Sequence, residues 1–460
     1  MKSGKSYVKD IFREYDIRGV VGTDFNEDFA ELLGRAFITY LLKNGAPKNP
    51  RVTLGQDARL SSPSISEALC KGMTSAGANV TLLGLITTPI SYYSMFAFEN
   101  MSGGIMVTGS HNPPDYNGFK ISVGKSTIFG EEILKLYEII ERGDFASGSG
   151  SKQTHDIFPQ YLARYKDEFK NIKSIPVVVD CGNGAGGCIV RKMYEQVGLK
   201  PTILFEEPDG RFPNHHPDPT VEANMRAAKK AVLETKSQLA IGFDGDADRI
   251  GLLDHTGRFI MGDEMMMLIS RAILAKNPGA KIIGDVKCSD RLYEDIRRHG
   301  GDAIMWKTGH SLIKTKIKAE HAPFGGELSG HIFFADRNYG YDDAPYAGLR
   351  LIEILGESGK TIPQLLEGIG SSHNTPEIRI DTTEEKKWSI VNTLKTKFSK
   401  DTPDYKVNFI DGVRISFKNG WALARASNTQ PVLVLRFEAD SAQALNHIRE
   451  QVESIVNPLL

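Results

Sequence analysis

Residues 108–120 read TGSHNPPDYNGFK and follow a short apolar run, Ile105, Met106 and Val107. The run reads as a buried strand. The segment after it reads as a rigid loop at the strand's end, because Pro-Pro and Asn-Gly both punctuate regular structure. It brings together a hydroxyl (Ser110), an imidazole (His111) and an amine (Lys120). Loops of this kind carry function more often than packing. A Gly109-Ser110-His111-Asn112 context does not fit the G-x-S-x-G elbow of a serine hydrolase.

Working outward, a strand–polar turn–helix–glycine–strand pattern recurs three times. The first copy has strand 52–54, the turn GQD (55–57), a helix from about 63 to 75, Gly77 and strand 79–83. The second runs from strand 177–180 through CGNGAGG and a helix to Gln196, then Gly198 and strand 202–205. The third runs from 281–285 through VKCS and a helix to Arg298, then Gly300-Gly301 and strand 303–306. Each copy takes about two dozen residues, the length of a parallel βαβ crossover with a short helix. Three such units imply three similar α/β domains with functional loops at the carboxyl ends of their strands. An amphipathic helix is expected at 27–43. Beyond Gly368 the pattern changes to strand, helix, then strands near 408–410, 413–417, 421–424 and 432–438, an α+β module. The Gly/Ser run 146–151 reads as a flexible connector. Further boundaries are expected near 254 and in 368–372.

Composition bounds the class. The chain has 460 residues, 40% hydrophobic and 25% charged, with a formal net charge of −1. Length allows about three or four domains. Nothing in the charge implies bulk attraction to nucleic acid or an anionic membrane. The first ten residues, MKSGKSYVKD, hold no apolar core of a signal peptide, and no stretch approaches the eighteen or so apolar residues of a membrane span. The four cysteines (70, 181, 188 and 288) lack zinc spacing and read as reduced and mostly structural. A cytoplasmic metabolic enzyme is the expectation.

Downstream, residues 242–249 read GFDGDADR. Asp244, Asp246 and Asp248 suit a hard cation with oxygen ligands, Mg²⁺ above all. In an extended strand, positions i and i+4 lie about 13 Å apart, so the segment must curl, which Gly245 and Ala247 make easy. An EF-hand is excluded by Arg249 at the sixth position and His255 at the twelfth. CGNGAGG matches a dinucleotide fingerprint, with Glu206 about twenty residues on, but the other two repeats carry no glycine fingerprint, so a tight βα turn is expected. GESGKT at 356–361 lacks the first glycine of a Walker A loop, Ile354 standing there. In GGELSGH (325–331), Glu327 and Ser329 alternate and would point the same way in an extended loop, apt for sugar hydroxyls. In RASNTQP (425–431), a guanidinium, two hydroxyls, an amide and loop N–H groups make a phosphate cradle.

With these four loops in this order on this repeat, the chain resembles the α-D-phosphohexomutase superfamily over essentially its whole length, most of all the bacterial phosphomannomutase/phosphoglucomutase branch. The resemblance implies three similar mixed α/β domains and a C-terminal α+β, TATA-protein-like domain around a central cleft. These would be 1–150 (phosphoserine), 151–254 (Mg²⁺-binding), 255–368 (sugar-binding) and 369–460 (phosphate-binding). It implies that Ser110 is the phosphorylated residue and that Asp244, Asp246 and Asp248 bind Mg²⁺ with it, Arg249 lying beside them. Glu327 and Ser329 would grip sugar hydroxyls, while Arg425, Ser427, Asn428 and Thr429 would hold the phosphate that is not reacting. Tyr15, Arg18, His111, Lys120, Lys287, His310 and His331 fall on further positions lining the family's cleft, with Lys120 and His310 as candidates for proton transfer. The implied reaction interconverts hexose 1-phosphate and hexose 6-phosphate through a hexose 1,6-bisphosphate, in a monomer whose partners are phosphosugars, not nucleic acid or membrane. The TGSHNP and GELSGH motifs resemble the mannose/glucose branch; the alternatives are a phosphoglucosamine mutase or, from another class, a dinucleotide oxidoreductase using the Gly182 loop.

Overall fold

A computed structural model of the chain describes residues 9–370, 372–428 and 430–460. It divides into two compact units, one of residues 9–265 and 329–365, the other of 266–328 and 366–460. The expected 255–368 segment contributes residues to both units. No helix among the described residues is long and apolar enough to cross a membrane.

The threefold repeat is present as sheet topology. In each copy, three parallel strands lie in the spatial order third, first, second. In the first they are Met101–Val107, Arg51–Gln56 and Asn79–Leu85. In the second they are Leu239–Phe243, Val177–Asp180 and Thr202–Leu204. In the third they are Phe324–Gly326, Lys281–Asp285 and Asp302–Trp306. The third strand of each copy ends where a candidate loop begins, at Thr108, Asp244 and Glu327. One fold element, repeated, thus places three different chemistries at equivalent strand ends.

Antiparallel additions complete the sheets of the first unit. Tyr116–Val123 returns beside Met101–Val107, and Ile17–Val20 pairs with it on the far side. The 108–120 segment is consequently loop only as far as Asp115: Asn117, Gly118 and Lys120 belong to a strand. Gly118 serves close packing there, since a Cβ on it would lie 2.3 Å from the Ile17 carbonyl oxygen. The Asn117 amide donates to Ser61 Oγ and Ser62 Oγ at 2.9 and 3.0 Å.

Two expected boundaries fall within bonded structure. The 146–151 run is not a free tether, because Gly148 N and Gly150 N donate to the Ser75 and Thr74 carbonyls. Ser151–Thr154 then extends the first sheet by pairing with Asn79–Leu85. A cut at 254 divides a hairpin, since Phe259–Ile260 pairs with Ile250–Asp254. The expected helix at 27–43 is Glu27–Lys43, capped by Asn26 Oδ1 on Phe29 N.

The C-terminal module is an antiparallel sheet in the order His373–Asn374, Val432–Ala439, Gly420–Ala426, Val413–Phe417, Tyr405–Asn408, with Ile378–Asp381 also on Val432–Ala439. Its core joins that sheet to helices Glu384–Lys397 and Ala442–Val456 through residues such as Ile390, Leu394, Phe437 and Val452. The strand expected at 408–410 lies at 405–408 instead. Asn408 ends it by accepting Ile410 N on its side chain, a local turn that competes with the ladder.

Candidate active site

In the first unit, Ser110 lies three residues past the end of Met101–Val107, buried, with a left-handed φ of +48°. Asp244 lies one residue past Leu239–Phe243. Gly245 brings the two strand ends together: a Cβ there would stand 2.4 Å from the Ser110 carbonyl oxygen. The 244–249 segment curls as its spacing requires, with Ala247 at φ +58°. Asp244 Oδ1 closes the curl by accepting Asp248 N and Arg249 N, both at 3.1 Å.

Asp244, Asp246 and Asp248 are fully buried, and one oxygen from each lies within 4.8 Å of the others. Ser110 Oγ donates to Asp244 Oδ2 at 2.8 Å. Lys120 Nζ donates to Asp246 Oδ2 at 2.7 Å and also to Asp248 Oδ2. Thr88 Oγ1 adds a bond to Asp246 Oδ2 at 2.6 Å. The electrostatics follow from this crowding. Burial, then the charges of Asp246 and Asp248, hold Asp244 well above the ordinary carboxylate range. Burial alone would raise Asp246 too, but the Lys120 ammonium keeps it below its ordinary value. Burial pulls Lys120 down, and the surrounding aspartates more than reverse that. Three carboxylates against one ammonium leave excess negative charge, and Asp246 Oδ1 and Asp248 Oδ1 are buried without a hydrogen-bond donor among the described residues. The donor set is all oxygen and suits a hard divalent cation.

His111 Nδ1 stands 3.2 Å from Ser110 Oγ. Burial, followed by the charges of Arg249 and Arg18, pushes this imidazole well below its usual range, so it is neutral near pH 7. His331 Nε2 accepts from Arg249 Nε at 3.0 Å, while its Nδ1 faces Asp342 Oδ2 at 2.9 Å and Asp248 Oδ1 at 3.8 Å. Asp342 is held in place through Asp343, which caps helix Ala344–Ser358 on Tyr346 N and accepts Tyr161 Oη and Tyr165 Oη at 3.0 and 3.1 Å. Arg18 pairs with Asp16 at 2.5 Å, and Tyr15 is buried beside them in the chain.

In the second unit, Lys287 Nζ donates to Glu377 Oε2 at 3.2 Å and lies 4.0 Å from Asp285. Glu327 is buried, accepting Gly309 N at 2.5 Å just before His310 opens helix His310–Glu320. Residues 328–330 form a turn, with Gly330 at φ +81°. Strand-like alternation therefore does not set the directions of Glu327 and Ser329, which is half-buried in the first unit. Arg425 is the next-to-last residue of strand Gly420–Ala426 instead of the start of a loop, and pairs with Asp411 at 3.1 Å. Ser427 is buried and Asn428 half-buried; Thr429 lies outside the described residues.

The Gly182 loop is not built for a dinucleotide. Gly182 N, Asn183 N, Gly184 N and Ala185 N are spent on Asp180 Oδ1 and on the Phe205, Cys181 and Gly245 carbonyls. A short 3-10 segment, Ala185–Cys188, replaces the helix start a pyrophosphate needs. Glu206 is taken up by Arg191.

Sequence reasoning missed Arg59, Thr88, Asp342, Glu377, Lys387 and Asp411. Only Arg59 had a signal, since it stands in the turn after the first strand of its repeat, where Lys287 stands in the third.

Models of the phosphoglucomutase/phosphomannomutase family match throughout: α/β/α domain I over residues 9–147, domain II over 159–257, domain III over 261–371 and the C-terminal domain over 377–455. A phosphomannomutase/phosphoglucomutase of Pseudomonas aeruginosa is 44% identical over 439 residues, covering 95% of this chain and 94% of its own. A phosphoglucomutase of Neisseria gonorrhoeae is 42% identical, covering 99% of each chain. A solved phosphoglucomutase/phosphomannomutase family protein of Burkholderia thailandensis superposes with a TM-score of 0.92 at 38% identity, covering 99% of this chain and 98% of its own.

Proposed function

Because this chain belongs to the phosphoglucomutase/phosphomannomutase family, we propose that it interconverts the 1- and 6-phosphates of mannose and glucose through a phosphoserine at Ser110. The observation that carries the assignment is the buried Ser110 hydroxyl 2.8 Å from Asp244, inside a cluster of three aspartates and Lys120.

Phosphorylated Ser110 gives its phosphoryl group to the free end of the sugar phosphate. The Ser110 Oγ–P bond breaks, a bond from the sugar oxygen to phosphorus forms, and the sugar hydroxyl's proton ends on Ser110 Oγ, which is left as a hydroxyl. A hexose 1,6-bisphosphate results. After it turns over, the phosphate at the other end returns to Ser110 and leaves the isomeric monophosphate. Asp244, Asp246 and Asp248 are the residues that would hold Mg²⁺, which when bound neutralises phosphoryl charge. Lys120, with its ammonium on two of these aspartates, supplies a fixed positive charge beside the transfer. His111, neutral and 3.2 Å from Ser110 Oγ, is placed to exchange a proton at that oxygen. Arg249 and His331 act as one bonded unit beside the cluster. Arg18 and Tyr15 complete the polar groups proposed in this unit, together with Ser329. In the second unit, Glu327, Lys287 and His310 are proposed for sugar hydroxyls, and Arg425, Ser427, Asn428 and Thr429 for the phosphate that is not reacting.

Mannose and glucose differ at C2 only, so contacts to O3 and O4 serve both. Coupled assays should therefore show turnover of mannose 1-phosphate and glucose 1-phosphate alike. A preference beyond about a thousandfold, more than pocket contacts to a single hydroxyl ordinarily need to share, would rule out dual use.

A further inference from the structure

We propose that Arg59 is the positioning residue that holds Ser110 in its reactive geometry, by gathering four carbonyls of the 108–116 segment onto one buried guanidinium. The inference rests on the reading of Ser110 as phosphoryl carrier. Arg59 is 1% exposed and does not belong to the 108–120 segment at all. Its Nη2 donates to the carbonyls of Ser110 and Asn112 at 2.7 and 2.6 Å. Its Nη1 donates to the carbonyls of Tyr116, at 2.9 Å, and Pro113. Its Nε faces Asp57 Oδ2 at 3.2 Å. Both terminal nitrogens of the guanidinium are thereby used, with four hydrogen bonds to one loop.

Asp57 extends the grip to both shoulders of the segment. Its Oδ2 accepts Gly109 N at 3.2 Å. Its Oδ1 accepts Arg59 N and Ser62 Oγ, and Ser62 Oγ in turn accepts the Asn117 amide at 3.0 Å. The ring of Phe212 lies 5.2 Å from the guanidinium carbon. Gly109 lies flat against the same group, for a Cβ on it would stand 2.5 Å from both Cζ and Nε.

The strain explains why such a clamp is needed. Ser110 is a non-glycine residue at φ +48°, a conformation that persists only where the surroundings over-determine it. The Ser110 carbonyl also has to be satisfied in a buried position. A planar fork with five donors in fixed directions meets both demands, while a lysine, with three donors on one atom, cannot reach four carbonyls spread over seven residues. The clamp touches only backbone of the loop, so it sets where Ser110 Oγ points without touching substrate.

The experiment perturbs the clamp from two sides in the full chain: Arg59→Lys, which keeps the charge and loses the fork, and Gly109→Ala, which keeps Arg59 and pushes a methyl group into it. Steady-state kinetics on glucose 1-phosphate with glucose 1,6-bisphosphate present are combined with thermal unfolding and with mapping of phosphate on Ser110. A misaimed Ser110 should lower kcat on the order of 100-fold, the usual consequence of displacing a reacting group by about 1 Å, in both variants. KM should stay within about twofold, since ground-state binding is untouched, and the folded fraction should match wild type. The clamp is refuted by a folded Arg59→Lys that keeps its kcat, or by a kcat loss that only tracks the unfolded fraction in both variants. A wild-type enzyme that turns over without phosphate on Ser110 would instead remove the underlying reading of the serine, a distinct result.

Discussion

Arg59 fastens the Ser110 segment from beneath through four carbonyls, and Lys387 fastens the phosphate-loop candidate through two, those of Ser427 and Gln430 at 2.6 and 3.0 Å. Both cations are buried, and neither belongs to the loop it holds. The difference is in the donor. A guanidinium fixes direction as well as position, whereas an ammonium supplies charge with little directional demand. A loop proposed to aim a reacting oxygen has the first; a loop proposed to hold a phosphate that does not react has the second. Lys287 falls on the stricter side: Arg414 binds the Val286 and Cys288 carbonyls, and Arg436 binds that of Lys287 itself.

The comparison is broken most severely at its reacting atom. Ser110→Ala should reduce activity on either sugar phosphate to the assay background with the fold intact by circular dichroism, while Ser427→Ala should leave measurable turnover. Equal losses would place the two loops on the same footing.

The next effect is on stability, and its sign differs between the units. Burial pushes the Asp343 carboxyl up to about 6, hydrogen bonds from Tyr346 N and two tyrosines only partly offsetting it. The native state therefore takes up this proton first. Its contribution is fully present below about pH 4 and is lost as pH rises through 6. Lys287 beside Glu377 holds that carboxyl at about 2, against burial. This contribution is fully present above about pH 4.5 and is lost as pH falls toward 2. Each is on the order of 3 kcal/mol by proton linkage. In urea unfolding, Asp343→Asn should gain on wild type as pH rises from about 4 to 8. Glu377→Gln should fall behind wild type as pH rises from about 2 to 5. Shifts of the same sign would contradict the assignments.

Smaller still, and sharpening the comparison directly, is Lys387→Met. Freeing two carbonyls costs about 1–3 kcal/mol where they stay buried, and a looser cradle should raise KM on the order of tenfold with kcat changed much less. That is the reverse of the pattern expected for Arg59→Lys. A kcat effect from Lys387 as large as that from Arg59 would erase the distinction between the two fastenings.

What could be read beforehand follows the range of the forces involved. The Asp triplet and the Ser110 motif are local patterns, and their chemistry shows in the residue types. The threefold repeat was visible because each copy repeats a strand, turn and helix within a short span. Asn117-Gly118 misled because the same dipeptide that favours a turn also permits the close approach of Ile17–Val20, and partners Gly19 and Arg18 about a hundred residues away are not visible from the pair. Lys387 escaped for the same reason, and Arg59 offered only its place in the repeat. Each bonds carbonyls some fifty and forty residues distant, and backbone carbonyls carry no residue signature. Strand periodicity gives Glu327 and Ser329 a common direction, but the strand ends at Gly326 and the chain turns at 328–329.

The central claim is that Ser110, aimed by the first unit, carries the phosphoryl group. Intact mass of the active enzyme before and after phosphatase, followed by peptide mapping, tests it most directly. The account predicts one removable phosphate, located on Ser110, whose loss lowers turnover and whose return from glucose 1,6-bisphosphate restores it. Full activity with Ser110 unphosphorylated, or phosphate mapped only to another residue, would contradict it.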